Sequence, residues 1–156
     1  MAGFENAPRI TPFLWFNNNA EDAADFYLSI FKNSRRVSEL SNDGNAPGPK
    51  GSILTIAFEL DGQRFTALNG GPVYTMNEAV SFLVRCDNQD EVNNYWDRLT
   101  SGGTEIQCGW LKDKFGVTWQ VVPSKLPELI RNPKAMKAMM NMKKIDLAEL
   151  ERAARE

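Results

Sequence analysis

The stretch Gly109-Trp110-Leu111-Lys112-Asp113-Lys114-Phe115-Gly116-Val117-Thr118-Trp119-Gln120-Val121-Val122-Pro123 decides how the chain is read. Asp113 to Gly116 is turn chemistry, and Gly116 is free to take a positive φ. Val117 to Val122 is dense in β-branched and aromatic residues, which predicts a strand and makes the whole stretch the last hairpin of a sheet. Successive strand side chains face opposite sides. Thr118, Gln120 and Val122 therefore share one face, and Val117, Trp119 and Val121 share the other. The first face carries Gln120, the side chain here that can hold a ligand from inside a sheet. The second is a packing face.

The chain has 156 residues, 42% hydrophobic and 10% aromatic, enough for a proper core. Lys plus Arg is 18 and Asp plus Glu is 20, a net charge of -2. With no basic excess to neutralise phosphates, nucleic acid is not the expected partner. No apolar run reaches the length of a membrane span. The first residues, Met1-Ala2-Gly3-Phe4-Glu5-Asn6, show neither a basic n-region nor an apolar h-region, and the expected location is cytoplasmic. Cys86 and Cys108 are expected to be unpaired, small apolar residues rather than nucleophiles. There are no histidines. That excludes Ser-His-Asp and Cys-His catalysis and any His-ligated metal site.

Outward from the hairpin, the pattern predicts strands near 10–16, 36–40, 52–60, 63–69, 79–86, 104–109 and 116–122, and helices near 20–31 and 89–100. The first strand of the final hairpin is expected near 104–112, bulged around Gly109. Asn17-Asn18-Asn19 supplies an N-cap for the first helix, and Asp87 or Asn88 one for the second. Asp61-Gly62 is a type I′ hairpin signal. Ser41 to Gly51, with Pro47-Gly48-Pro49, is loop, open to reading as a mobile surface segment or as a lid. After Pro123 come short helices. In one of them Met136, Met139, Met140 and Met142 fall near one face and are expected to pack on the body. Asp146 caps the last, Leu147 to Ala154.

The order strand, helix, strand, strand, strand occurs twice. Phe26-Tyr27 in the first helix matches Tyr95-Trp96 in the second, and Ile30 matches Leu99. Gly62 stands three residues before Phe65, as Gly116 does before Trp119. The expected fold is α+β: one domain, 1–156, built of module 1 (9–71), module 2 (79–123) and a helical tail (124–156). Two βαβββ halves would leave a cavity between their sheets, lined by the faces carrying Thr66, Leu68, Gln120 and Val122.

With both halves laid out, the chain resembles the vicinal oxygen chelate superfamily of glyoxalase I, bleomycin-resistance proteins and extradiol dioxygenases. Within it, the chain is similar to the PhnB-like, 3-demethylubiquinone 3-methyltransferase-like branch. The resemblance rests on Pro12-Phe13-Leu14-Trp15-Phe16, on Ala20-Glu21-Asp22-Ala23 with Phe26-Tyr27, and on Gly62-Gln63-Arg64-Phe65. It continues through Ala67-Leu68-Asn69-Gly70-Gly71-Pro72, through Trp110 with Asp113 to Trp119, and through Met142-Lys143-Lys144-Ile145-Asp146. It implies a homodimer, and a divalent metal held from the first and last strand of each half. Those positions fall near Pro12, Thr66, Ser81 and Gln120. Only Gln120 is a usual oxygen ligand, so no metal and no other cofactor is expected. The pattern also shows no Gly-rich loop after a strand to hold adenosylmethionine.

These observations lead to a metal-free protein that binds a small organic molecule. Leu14, Phe16, Thr66, Leu68, Ser81, Trp110, Gln120 and Val122 line the expected cavity. Two rival readings are an enzyme using groups such as Lys114, Asp113, Asp61 and Tyr74, and a dimeric structural or interaction protein whose cavity is vestigial.

Overall fold

The computed structural model describes residues 3–156. The chain forms two compact units, the first running to Met76 and the second spanning Asn77–Glu156. Among the described residues, no helix is long and apolar enough to cross a membrane.

The first unit contains β1 (Phe13–Phe16), α1 (Ala20–Ile30), β2 (Arg35–Ser41), β3 (Ile53–Leu60) and β4 (Gln63–Asn69). Its sheet has the order β1-β4-β3-β2, with β1 parallel to β4 and the other pairs antiparallel. Asp61-Gly62 closes β3 onto β4 with φ of 48° and 85°, the two positive values a type I′ turn needs. The pairing then fixes the faces. Ile56 opposes Ala67, Phe58 opposes Phe65, and Leu14 opposes Ala67 across the parallel pair. All are buried, and Tyr27 of α1 stacks on Phe58 with ring centroids 6.4 Å apart. This is the helix-covered face. The other face carries Phe13, Trp15, Thr66, Leu68, Ala57, Glu59 and Arg64.

Asn19 stands at the start of α1 but makes no side-chain cap. Asn69 supplies that bond instead, its Oδ1 accepting from the Ala20 N–H at 2.9 Å. The 41–51 loop is wrapped around one buried amide. Asn42 donates to the carbonyls of Ala46, Pro47 and Gly48, and its Oδ1 accepts from the Gly44 N–H at 2.8 Å. That single buried side chain holds the loop's backbone polar groups together.

The second unit repeats the plan with β5 (Ser81–Cys86), α2 (Gln89–Thr100), β6 (Thr104–Glu105), β7 (Trp110–Lys112) and β8 (Thr118–Pro123). The order is β5-β8-β7-β6, and β5 is parallel to β8. Asn88 caps α2 by accepting from the Glu91 N–H. Val92, Tyr95, Trp96 and Leu99 are the buried residues of α2, as its spacing predicts. The expected continuous strand over 104–112 is two strands. Thr104 pairs with Lys112 and Glu105 with Leu111, so the chain folds back between them. Cys108 and Gly109 make the bend with φ of 59° and 85°, and their N–H groups donate to the carbonyls of Met142 and Lys143 in the tail.

Asp113 organises the final turn. Its carboxylate is buried, and Oδ1 accepts from the N–H of Phe115 at 2.8 Å and of Val117 at 3.1 Å. Oδ2 accepts from the Trp119 indole at 2.9 Å. Gly116 at φ 90° lets the turn close. Beyond β8, the tail forms α3 (Leu126–Leu129), α4 (Pro133–Met140) and α5 (Leu147–Arg155), the last capped by Asp146. Val122, Leu126, Met139, Ile145 and Leu150 form its core, with Met142 packed against it. The four methionines do not share one buried face, because Met136 and Met140 are exposed.

Trp119→Ala is expected to cost about 3–5 kcal/mol through the lost buried aromatic. Trp119→Phe keeps most of that ring but removes the indole's hydrogen bond to Asp113 Oδ2, for about 1–3 kcal/mol. Urea denaturation of both variants checks this. A loss well under about 1 kcal/mol for Trp119→Ala would mean that β8 presents its other face to α2.

Candidate functional site

In the second unit, the register places Ser81 opposite Thr118, Leu83 opposite Gln120, and Trp110 opposite Gln120 on the other side. These residues lie on the face away from α2. Gln120 Nε2 donates to Ser81 Oγ at 2.9 Å. Thr118 is 1% exposed and its hydroxyl has no hydrogen-bond partner. A buried hydroxyl without a partner costs on the order of 1–3 kcal/mol. Two hydroxyls and one amide thus sit together, with Leu83 and Trp110 as the apolar neighbours. Lys112, opposite Thr118, is ion-paired with Glu78. The hydrogen bond from Lys112 holds the Glu78 carboxyl below its ordinary range. The polar centre of this face, Ser81, Thr118 and Gln120, consists of neutral side chains, with the charges of Lys112 and Glu78 paired beside it.

The expected wall residues divide. Ser81, Trp110 and Gln120 share the face of the second sheet away from α2, and Thr66 and Leu68 share the face of the first sheet away from α1. Leu14 and Phe16 do not join them. The parallel register turns both toward α1, and Phe13 and Trp15 take their place beside Thr66 and Leu68. With a period of two, placing β1 one residue out of phase exchanges every side chain between faces. Val122 has the expected face, but Leu126, Met139, Ile145 and Leu150 cover it. Sequence reasoning did not single out Thr118's hydroxyl or Leu83, although the two-residue period around Gln120 implies the first.

The residues considered for acid–base work are not assembled. Asp113 spends both oxygens inside its turn and on Trp119. Lys114 lies over the Phe115 ring. Asp61 occupies the β3–β4 turn, and Tyr74 is exposed, edge-on to Trp15 at 4.9 Å. A separate cavity of about 240 Å³ lies in the first unit, bordered by Asn17, Pro47, Gly48, Ser52 and Asn69. The Asn69 amide is committed there to Ala20 and to the Ile53 carbonyl.

The four positions where the resemblance implies a metal do not fit one. The Pro12 carbonyl accepts from the Thr66 N–H at 3.0 Å, and Ser81 and Gln120 bond to each other. Proline offers no side-chain donor, and neutral hydroxyls and one amide are weak ligands for a divalent ion. Among the described residues, no three His, Cys, Asp or Glu side chains form a group that could hold a metal.

Tandem βαβββ modules of this kind define the glyoxalase-like fold of the vicinal oxygen chelate superfamily. The chain belongs to the PhnB-like family described as 3-demethylubiquinone-9 3-methyltransferase, whose model matches residues 8–122. The Bacillus cereus PhnB protein is 32% identical, with 75% of this chain and 100% of that one covered and a TM-score of 0.69. The Pseudomonas aeruginosa protein PA1353 shares the fold at 22% identity, with 75% and 98% covered and a TM-score of 0.62. So does the Listeria monocytogenes fosfomycin resistance protein FosX, solved with Mn(II) and sulfate, at 14% identity, 80% and 97% coverage and a TM-score of 0.54. No curated protein matches the chain.

The two cysteines are free and differ sharply. Burial, with Glu91 and Asp87 adding, pushes the Cys86 thiol from its ordinary 9.0 up to about 12. Its contribution to stability is present below the unfolded value and is lost as pH rises toward the folded one. Iodoacetamide at pH 8 is expected to label Cys108 alone in the native protein and both thiols after denaturation. Mass spectrometry checks this, and native labelling of Cys86 would contradict its burial.

Proposed function

We propose that this protein binds a small organic molecule without a metal, on the sheet face centred on Gln120. The observation that carries the reading is the Gln120–Ser81 bond beside the buried, unpartnered hydroxyl of Thr118. Gln120 has a carbonyl acceptor and two N–H donors, and each hydroxyl both donates and accepts. Such a set recognises an uncharged carbonyl, amide or hydroxyl, while Leu83 and Trp110 contact the apolar body. Thr118 gains the partner it lacks in the protein. Methyl transfer is not part of this reading, because the sequence has no Gly-rich strand-to-helix loop for adenosylmethionine.

Ligand-observed NMR with a set of neutral aryl amides and alcohols tests the proposal. Gln120→Leu is expected to weaken the fragments that bind by about tenfold, the worth of a polar contact to a buried group, with the fold unchanged. Equal affinity in the variant would return Gln120 to a packing role. Calorimetric titration with zinc, nickel and manganese is expected to show no stoichiometric site tighter than roughly micromolar, about 8 kcal/mol of binding. A tighter site would mean that other ligands converge.

The homodimer is carried forward as a proposal on the resemblance alone. The apolar faces of the C-terminal helices find their surface within the second unit, so they do not call for a partner. Sedimentation at micromolar concentration giving a monomer would remove the claim.

A further inference from the structure

The first unit's sheet face away from α1 ends in a row of charges: Arg64 on β4, Glu59 opposite it on β3, and Arg35 opposite Glu59 on β2. One carboxylate serves two guanidinium groups. Arg35 Nη2 donates to Glu59 Oε1 at 3.0 Å, and Arg64 Nη2 reaches the same oxygen only at 3.4 Å. The more buried arginine has the poorer bond, since the Arg64 side chain is 12% exposed and that of Arg35 is 62%. Arg64 Nε is buried and has no acceptor in the protein.

Two cations against one anion leave the row at a net charge of one positive. Taking a guanidinium out of water costs free energy unless its N–H groups are bonded. Its fork of N–H groups is shaped for a second oxyanion. Two residues along the same face of β4 stands Thr66, followed by Leu68, with Phe13 and Trp15 opposite them on β1. Phe13 is 52% exposed, so solvent reaches this face at its β1 edge, while Thr66 itself is buried. A charged end therefore adjoins an aromatic and aliphatic surface.

We propose that Arg64 is an oxyanion-binding residue, taking the carboxylate or phosphate group of a small molecule whose apolar part lies against Phe13, Trp15 and Leu68. This goes beyond the Gln120 reading and rests on different residues in a different unit. Arg35 is too exposed to serve the same end, because water already satisfies its donors and screens its charge.

The test titrates the full chain with benzoate and, separately, phenyl phosphate, followed by NMR shifts that include the Arg64 Nε–H resonance. The expected result is saturable binding of at least one of the two, with the Arg64 Nε–H shifting as its new hydrogen bond forms. The preferred probe identifies the oxyanion as a carboxylate or a phosphate. Arg64→Gln is expected to weaken that binding at least about tenfold, as loss of a charged hydrogen bond does. Arg64→Lys keeps the charge without the fork and is expected to weaken it as well. Arg35→Gln takes one positive charge out of the row but leaves the Arg64 fork in place, and is expected to weaken the binding less than Arg64→Gln does. No saturable binding of either probe by the wild type, an unmoved Arg64 Nε–H, or equal affinity in Arg64→Gln would each overturn the proposal. The Gln120 reading would be untouched by any of them. If Arg64→Gln does not fold, the Nε–H shift in the wild type and the Arg64→Lys variant decide the matter.

Discussion

The buried carboxylate of Asp113 is the constraint on which the second unit depends. A carboxylate away from water must be bonded on both oxygens or it costs several kcal/mol. Here two backbone N–H groups and the Trp119 indole satisfy it. The indole can reach Oδ2 only if β8 leaves the turn in one register. That register puts Trp119 and Val121 on the buried face, and so turns Thr118 and Gln120 the other way. The position of the candidate site is thus a consequence of how a turn residue is satisfied.

The first unit reaches the same arrangement by different means. Its β3–β4 turn is a two-residue type I′ turn whose backbone twist matches the strands, and no buried acid is needed. Phe65 stands where Trp119 stands and has no polar atom to anchor. The cap of α1 comes from Asn69 at the end of β4 rather than from the residue before the helix. One plan is therefore held by turn geometry in one half and by a buried polar network in the other. The tail adds a further element to the second unit. It accepts the N–H groups of the 108–109 bend and covers Val122, which shortens the face away from α2 at that end.

Much of this was legible in the residues. The turn signals at Asp61-Gly62 and Asp113 to Gly116, the apolar spacing of both helices and the doubled order of elements led to tandem βαβββ modules. Gln120's face followed from counting by two. Other features were not legible, for physical reasons. Leu14 and Phe16 sit in an apolar run, Pro12 to Phe16, where inward and outward residues are alike, and only pairing with β4 fixes the phase. The fold-back at 106–109 depends on carbonyls more than thirty residues away. Asp113 looks like any turn aspartate until the distance to Trp119 is known. The charge row at Arg64 needs the register of three strands at once, which no local pattern supplies.

The bond between Trp119 and Asp113 sets the register of β8, and hydrogen exchange of the Trp119 indole N–H, followed by NMR, measures it directly. If the bond holds the turn and the register of β8, that proton opens only with the whole unit. It should then exchange as slowly as the most protected backbone amides of β8. Exchange at the rate of an exposed indole, while those amides stay protected, would show that the indole is not bonded to the carboxylate and that something else sets the register of β8.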